Sequence, residues 1–185
     1  KLFGIGSESY VVGSHEFFMG YAVKNQKLLT LDSGHFHPTE TIADKISSML
    51  MFVPELLLHV SRGVRWDSDH VVVSDDATLS AMQEVVRCGA ISKVHIGMDF
   101  FDASINRIFA WAIGMRAARK CLLCALLEPI EMMRTAENEG DYGKRLALIE
   151  ESRNLPASDV WDEYCRRSGV LSGLKMVSSI KKYEA

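Results

Sequence analysis

The sequence is short of several things, and each shortage removes a class of protein. No uninterrupted apolar stretch approaches the roughly 20 residues that cross a bilayer, which speaks against a membrane protein. No basic stripe is present and the formal net charge is −3, so the electrostatic footprint of a nucleic-acid surface is missing. Cysteine is scarce: Cys88, Cys121, Cys124 and Cys165. Cys121 and Cys124 are spaced like half of a zinc or redox motif, but no second pair follows at zinc-ribbon spacing and both fall in a helical run. They read as ordinary helix residues in a reducing compartment, and the expected location is the cytoplasm. Gly4 and Gly6 lack the third glycine of a dinucleotide-binding loop. Internal repeats, low-complexity segments and a signal peptide are also missing, while the opening residue is Lys1 rather than Met, so the chain reads as a piece of something longer.

What remains is ordinary globular material: 185 residues, 48% hydrophobic and 24% charged, enough for one domain with a real core. Helical spacing covers 14–25, with Ser14 as N-cap and Phe17, Phe18, Tyr21 and Ala22 on one side. An apolar strand follows at 28–32, then a helix at 38–51 with Pro38 in its first turn. The alternation continues with a strand at 55–60, a helix at 77–88 capped from Ser74–Asp76, a strand at 93–98 and a long helix at 104–127. Beyond Pro129 the pattern is helical only, at 131–139, 142–152 and 157–168, the last capped by Ser158 or Asp159. Residues 172–185 are polar and carry no assignment.

Strands alternating with crossover-length helices imply a parallel sheet, and a parallel sheet needs helices on both faces or closure into a barrel. Three strands cannot close one. The expected fold is therefore α/β, the latter portion of a larger barrel, with residues 1–128 holding its last strands and helices and residues 129–185 forming a helical extension.

Chemistry gathers where the strands end. The run 29–37 passes from apolar residues to Asp32, a Ser-Gly turn, His35 and His37. The strand at 55–60 carries His59 and leads to Trp66, Asp67, Asp69 and His70, and the strand at 93–98 leads to Asp99. Taken singly, each has a plain structural explanation: His59 as a satisfied core histidine, Asp32 as a helix cap, Asp67 and Asp69 as solvated loop charge. Together, Asp32, His35, His59, Asp67, Asp69 and Asp99 fall on the face where barrels build their sites. Carboxylates mixed with imidazoles and no thiolate suit Mn, Zn, Mg or Co, and six candidates exceed the needs of one ion, which allows two. His70 is placed to orient a ligand. Trp66 and Phe101 are candidates for apolar walls around a sugar or for core, and His37 and His95 have weaker claims.

Four stretches carry a resemblance. SESYVVGSHEFF (7–18), LDSGHFHPTETIADKIS (31–47), LLLHVSRGVRWDSDHVVV (56–73) and VHIGMDFFDASINRIFAWAIG (94–114) resemble the L-rhamnose isomerase family closely, through most of residues 1–128 and more loosely beyond. The resemblance implies a xylose-isomerase-like (β/α)8 TIM barrel, of which this chain holds the last strands and a C-terminal helical extension used for oligomer contacts. It also implies conversion of L-rhamnose to L-rhamnulose by a hydride shift between C2 and C1, two divalent ions (commonly Mn2+) and a soluble homotetramer. By the same resemblance, Asp32, His59 and Asp99 match ligands of a structural ion that holds substrate hydroxyls. His35, Asp67 and Asp69 match those of the catalytic ion, and Lys1 the lysine beside the substrate oxygen. Catalysis then falls to Lys1, Asp67 and His35, and substrate binding to Lys1, Asp32, Asp99 and Trp66. Two departures stand out. The family's fourth structural ligand is a glutamate two residues before the lysine, ahead of Lys1, and Glu8 does not replace it. Gly63 stands where the family has proline, which loosens the loop before Trp66.

Two other readings compete. A sugar epimerase or metal-dependent endonuclease on the same barrel would use the same residue types, although an endonuclease wants basic groups for phosphate. A non-catalytic barrel fragment has no physical need of six ligand candidates at the rim.

Overall fold

In the computed structural model, which describes residues 13–37, 39–63 and 69–184, the molecule is built on a small parallel sheet. Strands β1 (Leu29–Asp32), β2 (Leu56–Val60) and β3 (Val94–Met98) lie in the order β1-β2-β3. Register places Asp32 beside His59, and His59 beside Gly97. Burial alternates along β2: Leu56, Leu58 and Val60 are buried, while Leu57 and His59 are half-buried. Successive side chains point to opposite faces of a strand, so one face is the core side and the other carries His59. The three strands read as apolar nearly throughout, and helices pack against them.

Those helices are α1 (His15–Asn25), α2 (Ala43–Met49), α3 (Asp76–Arg87) and α4 (Arg107–Leu126), and each has a local reason to start where it does. The Ser14 hydroxyl accepts the Phe17 N–H at 3.3 Å, and the Asp75 carboxylate accepts the Thr78 N–H at 2.9 Å. Both satisfy one of the orphan donors of a first turn. The core joins Leu29, Leu31, Leu56 and Leu58 to Ile46 of α2, to Met82 and Val85 of α3 and to Ala117, Ala118 and Cys121 of α4. Burying a leucine or methionine side chain of this kind contributes about 1.5–3 kcal/mol. Alanines along α4 let it approach α3 closely.

Four expectations need correction. The helix expected from residue 38 begins at Ala43. The preceding stretch is a turn in which the Glu40 N–H donates to the His37 carbonyl at 2.8 Å, and the Thr41 hydroxyl takes the Ala43 N–H at 3.2 Å. Pro38 itself lies outside the described residues. The helix expected from 104 begins at Arg107, because Asp102 captures Ser104 in a local turn and the Asn106 side chain caps Ile108 at 2.6 Å. The helix α7 (Ala157–Arg167) starts after Pro156, without a side-chain cap from Ser158 or Asp159. Residues left without assignment form α8 (Gly173–Glu184), whose Ile180 is buried. Its apolar residues Leu174, Val177 and Ile180 recur at three-residue spacing, a helical stripe hidden in a segment that is polar on average.

α5 (Ile130–Asn138) and α6 (Tyr142–Ser152) make a hairpin, and α7 packs on α4. Arg119 donates to the Tyr164 hydroxyl and its guanidinium lies 5.3 Å from the Tyr164 ring, while Lys120 lies over Trp161. Glu128, between α4 and α5, is buried and receives Gln83 at 2.7 Å and Arg87 at 2.6 and 2.8 Å, which ties α3 to the end of α4. Arg134 of α5 donates to the Arg87 carbonyl at 2.7 Å and carries the tie onward.

Candidate metal centre

Parallel strands in register bring their C-terminal ends to one line, and the ligand candidates follow from that geometry. Asp32 is the last residue of β1, His59 is the penultimate residue of β2, and Asp99 immediately follows β3. The Asp99 N–H donates to the Val60 carbonyl at 3.2 Å, which continues the ladder one step and brings its carboxylate in. The His59 Nδ1 atom then faces two carboxylate oxygens, Asp32 Oδ2 at 3.4 Å and Asp99 Oδ2 at 3.3 Å. Asp32 is buried, His59 half-buried and Asp99 open to solvent, so the cluster has a buried floor and an accessible mouth.

Room for the imidazole comes from β3. A Cβ at Gly97 would stand 3.3 Å from His59 Cδ2 and 3.8 Å from its Nε2, so glycine at this register position leaves the ring space over the neighbouring strand. The Asp32 carboxylate is oriented by the Gly34 N–H, which donates to Oδ1 at 2.8 Å and leaves Oδ2 aimed at His59. Asp99 is backed by Phe100, whose ring packs on Gly114 of α4. Farther along the same loop, hydrogen bonds from Ser104 hold the Asp102 carboxyl below the usual carboxylate range.

Ligand atoms held at about 2.0–2.2 Å from a divalent ion lie roughly 3 Å from one another. The Asp32, His59 and Asp99 donor atoms all lie within 4.8 Å of one another, and the His59 Nδ1 separations from the two carboxylates, 3.3 and 3.4 Å, fit that spacing. Two carboxylates and one imidazole form an oxygen–nitrogen set for a borderline or hard cation with open positions. Among the described residues this is the one group of three or more His, Cys, Asp or Glu residues with metal-binding geometry.

The remaining sequence candidates are placed differently. His35 lies beside the cluster, with Nε2 3.6 Å from Asp32 Oδ2, and is not one of its three members. Asp69 sits in the left-handed region with φ of 42°, and its carbonyl accepts the Phe101 N–H at 3.1 Å, which links this loop to the segment after Asp99. His70 is exposed, and its backbone pairs with Arg62 in an isolated bridge. Lys1, Trp66 and Asp67 lie outside the described residues. Phe101 is exposed and lines a separate cleft with Trp111, His95 pairs with Glu55 at 2.7 Å, and His37 with Thr39. A cleft of about 570 Å3 holds Asp32, His35 and His59 together with His15, Phe36 and Lys45. Burial, with Lys45 adding to it, holds the His15 imidazole below its ordinary range. Cys121 and Cys124 are free thiols within α4.

Sequence reasoning overlooked Ser33, Gly97, Phe100 and Gly114. A glycine inside a strand is the one signal that was visible, since it marks a close approach.

A parallel α/β sheet with a carboxylate–imidazole cluster at its C-terminal rim defines a class of protein with a candidate divalent-metal site. The family model described as L-rhamnose isomerase (RhaA) matches residues 1–185. Relatives named L-rhamnose isomerase include those of Rhodopirellula baltica, 63% identical over 185 residues, and Bacteroides thetaiotaomicron, 57% identical over 185 residues. That of Klebsiella pneumoniae is 57% identical over 184 residues. Each alignment covers 100% of this chain and 43–44% of the relative, so the chain spans under half the length of the curated relatives it matches. The chain belongs to the L-rhamnose isomerase family.

Proposed function

We propose that this chain is the metal-bearing part of a protein that converts L-rhamnose to L-rhamnulose by moving a hydrogen between C2 and C1. The observation that carries this reading is the convergence of Asp32, His59 and Asp99 at three successive strand ends, in a chain whose relatives are named L-rhamnose isomerase. The three would hold one divalent ion, and His35, Asp67 and Asp69 a second. Such ions supply Lewis-acid polarisation of neighbouring sugar oxygens.

The chain's own groups do the rest. Asp32 and Asp99 receive hydrogen bonds from adjacent sugar hydroxyls and so fix the face of the sugar that meets the reacting carbons. Asp67 and His35 would serve the exchange of the hydroxyl proton, as the resemblance implies. Lys1 places an ammonium against the substrate oxygen and favours negative charge there. Trp66 provides an apolar wall, and His70 orients a ligand by hydrogen bonding. Manganese is the proposed ion, with zinc, cobalt or magnesium as substitutes, and the cytoplasm is the proposed location. The proposed architecture is a xylose-isomerase-like (β/α)8 barrel to which residues 1–128 contribute the last strands, with residues 129–185 serving contacts in a homotetramer.

The test is a chimera in which this chain replaces its matching segment in the Rhodopirellula baltica relative. L-rhamnulose formation is measured after chelation and again after Mn2+ is restored, in the parent and in Asp32→Asn and Asp67→Asn. Activity that requires manganese and falls to background in both variants is expected. Activity indifferent to chelation, or intact in Asp32→Asn, would refute the proposal, and epimer formation in place of a ketose would point to a sugar epimerase.

A further inference from the structure

The ligands Asp32 and His59 come from different strands, and both strands stop at the rim. Backbone ladder bonds therefore run out where the alignment of the two side chains matters most. Ser33 stands at that point. Its N–H donates to the His59 carbonyl at 3.0 Å. Its hydroxyl accepts the Ser61 N–H at 2.8 Å and donates to the Ser61 carbonyl at 2.8 Å. One small side chain thus supplies the donor and the acceptor that a further pair of ladder residues would have supplied, and closes the end of β1 onto the end of β2. Ser61 is buried, so its main-chain groups have a strong need of these partners. The next residue inward, Val60, accepts the Asp99 N–H, so the same clamped strand end also carries the third member of the cluster.

Ser33 does not share the ligands' cavity. With Ser61 it lines the cleft between the strand ends, the turn before α2 and the start of α3, whereas Asp32 and His59 line a neighbouring cleft that meets the first at Phe36, His37 and Glu40. Any influence on a bound ion must pass through the backbone.

We infer that Ser33 is a positioning residue for the metal centre, holding Asp32 and His59 in ligating register through its paired hydrogen bonds to Ser61. This rests on the metal-binding reading of Asp32, His59 and Asp99. Partners one step removed from the ligands are worth about 10–100-fold in metal affinity, and a change in that range is expected here.

The experiment is a Mn2+ titration of the chimera in which this chain replaces its matching segment in the Rhodopirellula baltica relative, with free Mn2+ followed by electron paramagnetic resonance. Ser33→Ala should weaken binding by about 10–100-fold, and Ser33→Thr, which keeps the hydroxyl, should bind like the parent. Met133→Ala, which opens a cavity in α5 far from the rim, should lower the melting temperature and leave Mn2+ affinity unchanged. If Ser33→Ala does not fold, Ser33→Cys keeps a side chain of similar size without hydroxyl geometry and must show the same loss. Unaltered affinity in a folded variant lacking the hydroxyl, or a loss in Met133→Ala equal to that in Ser33→Ala, overturns the positioning role alone. Failure of the parent chimera to bind Mn2+ overturns the metal-centre reading and this inference with it.

Discussion

Replacing Gly114 by alanine sets two rules against each other. Gly114 lies inside α4, where alanine is the better helix former by about 0.5–1 kcal/mol, so helix propensity alone predicts a gain. Tertiary structure predicts the reverse. A Cβ built there would stand 2.2, 2.7 and 2.8 Å from the Cζ, Cε1 and Cε2 atoms of Phe100. Carbon atoms in contact prefer about 3.5–4.0 Å, so the ring must retreat by more than an ångström or α4 must lift. Phe100 is buried but borders the cleft that Phe101 and Trp111 line, so the ring can yield only towards that side, and overpacking of this kind costs about 1–3 kcal/mol. Net destabilisation of roughly 1–2 kcal/mol is expected after the propensity gain is subtracted. A lower urea midpoint and a melting temperature down by roughly 2–6 °C should report it. Asp99 precedes the displaced ring directly, so Mn2+ affinity should fall as well. Combining Gly114→Ala with Phe100→Leu, which draws the apolar atoms back, should recover part of both losses. A Gly114→Ala chain as stable as its parent would refute the packing argument.

Other expectations follow from the same structure. Arg87→Met should lose about 3–5 kcal/mol in chemical denaturation, because it leaves the buried Glu128 carboxylate without its guanidinium, and Glu128→Gln in the same background should restore part of the loss. Burial pushes the Cys121 thiol up to about 11 from an ordinary 9.0, so at pH 8 iodoacetamide should modify exposed Cys88 well before Cys121 in mass spectrometry. As pH rises from 9 towards 11, the unfolded Cys121 ionises while the folded one stays protonated, so its contribution to stability declines over that window; denaturation midpoints should fall, and less so in Cys121→Ala. His15 is held low in the folded state and binds its proton more readily when unfolded. Its contribution is therefore present above the ordinary 6.5 and lost as pH falls below it, a loss that His15→Phe should reduce.

Much of the fold was legible because periodicity survives in the chain. Apolar runs ending at Asp32, Val60 and Met98, separated by amphipathic stretches, dictated three parallel strands and the helices between them. Helix starts were the weak point. A proline in the first turn and a serine near Asn106 are compatible with several starting points, and the choice fell to hydrogen bonds that form only once the turn is made, such as Asp102 with Ser104. α8 was legible as well, since Leu174, Val177 and Ile180 recur at three-residue spacing, but the lysines and serines between them make the segment polar on average and hide the stripe.

The residue types of the site were written in the chain: two aspartates and a histidine at the ends of apolar runs, with motifs that resemble one family. Sequence spacing cannot say that these three meet. Asp32, His59 and Asp99 are separated by dozens of residues, and their convergence depends on strand register, on a glycine at position 97 that admits the imidazole, and on a serine that closes one strand end onto the next. Local chemistry is a property of a residue and can be read along the chain. The distance between residues from different strands is a property of packing, fixed when hydrogen-bond ladders and buried apolar faces choose one register out of many.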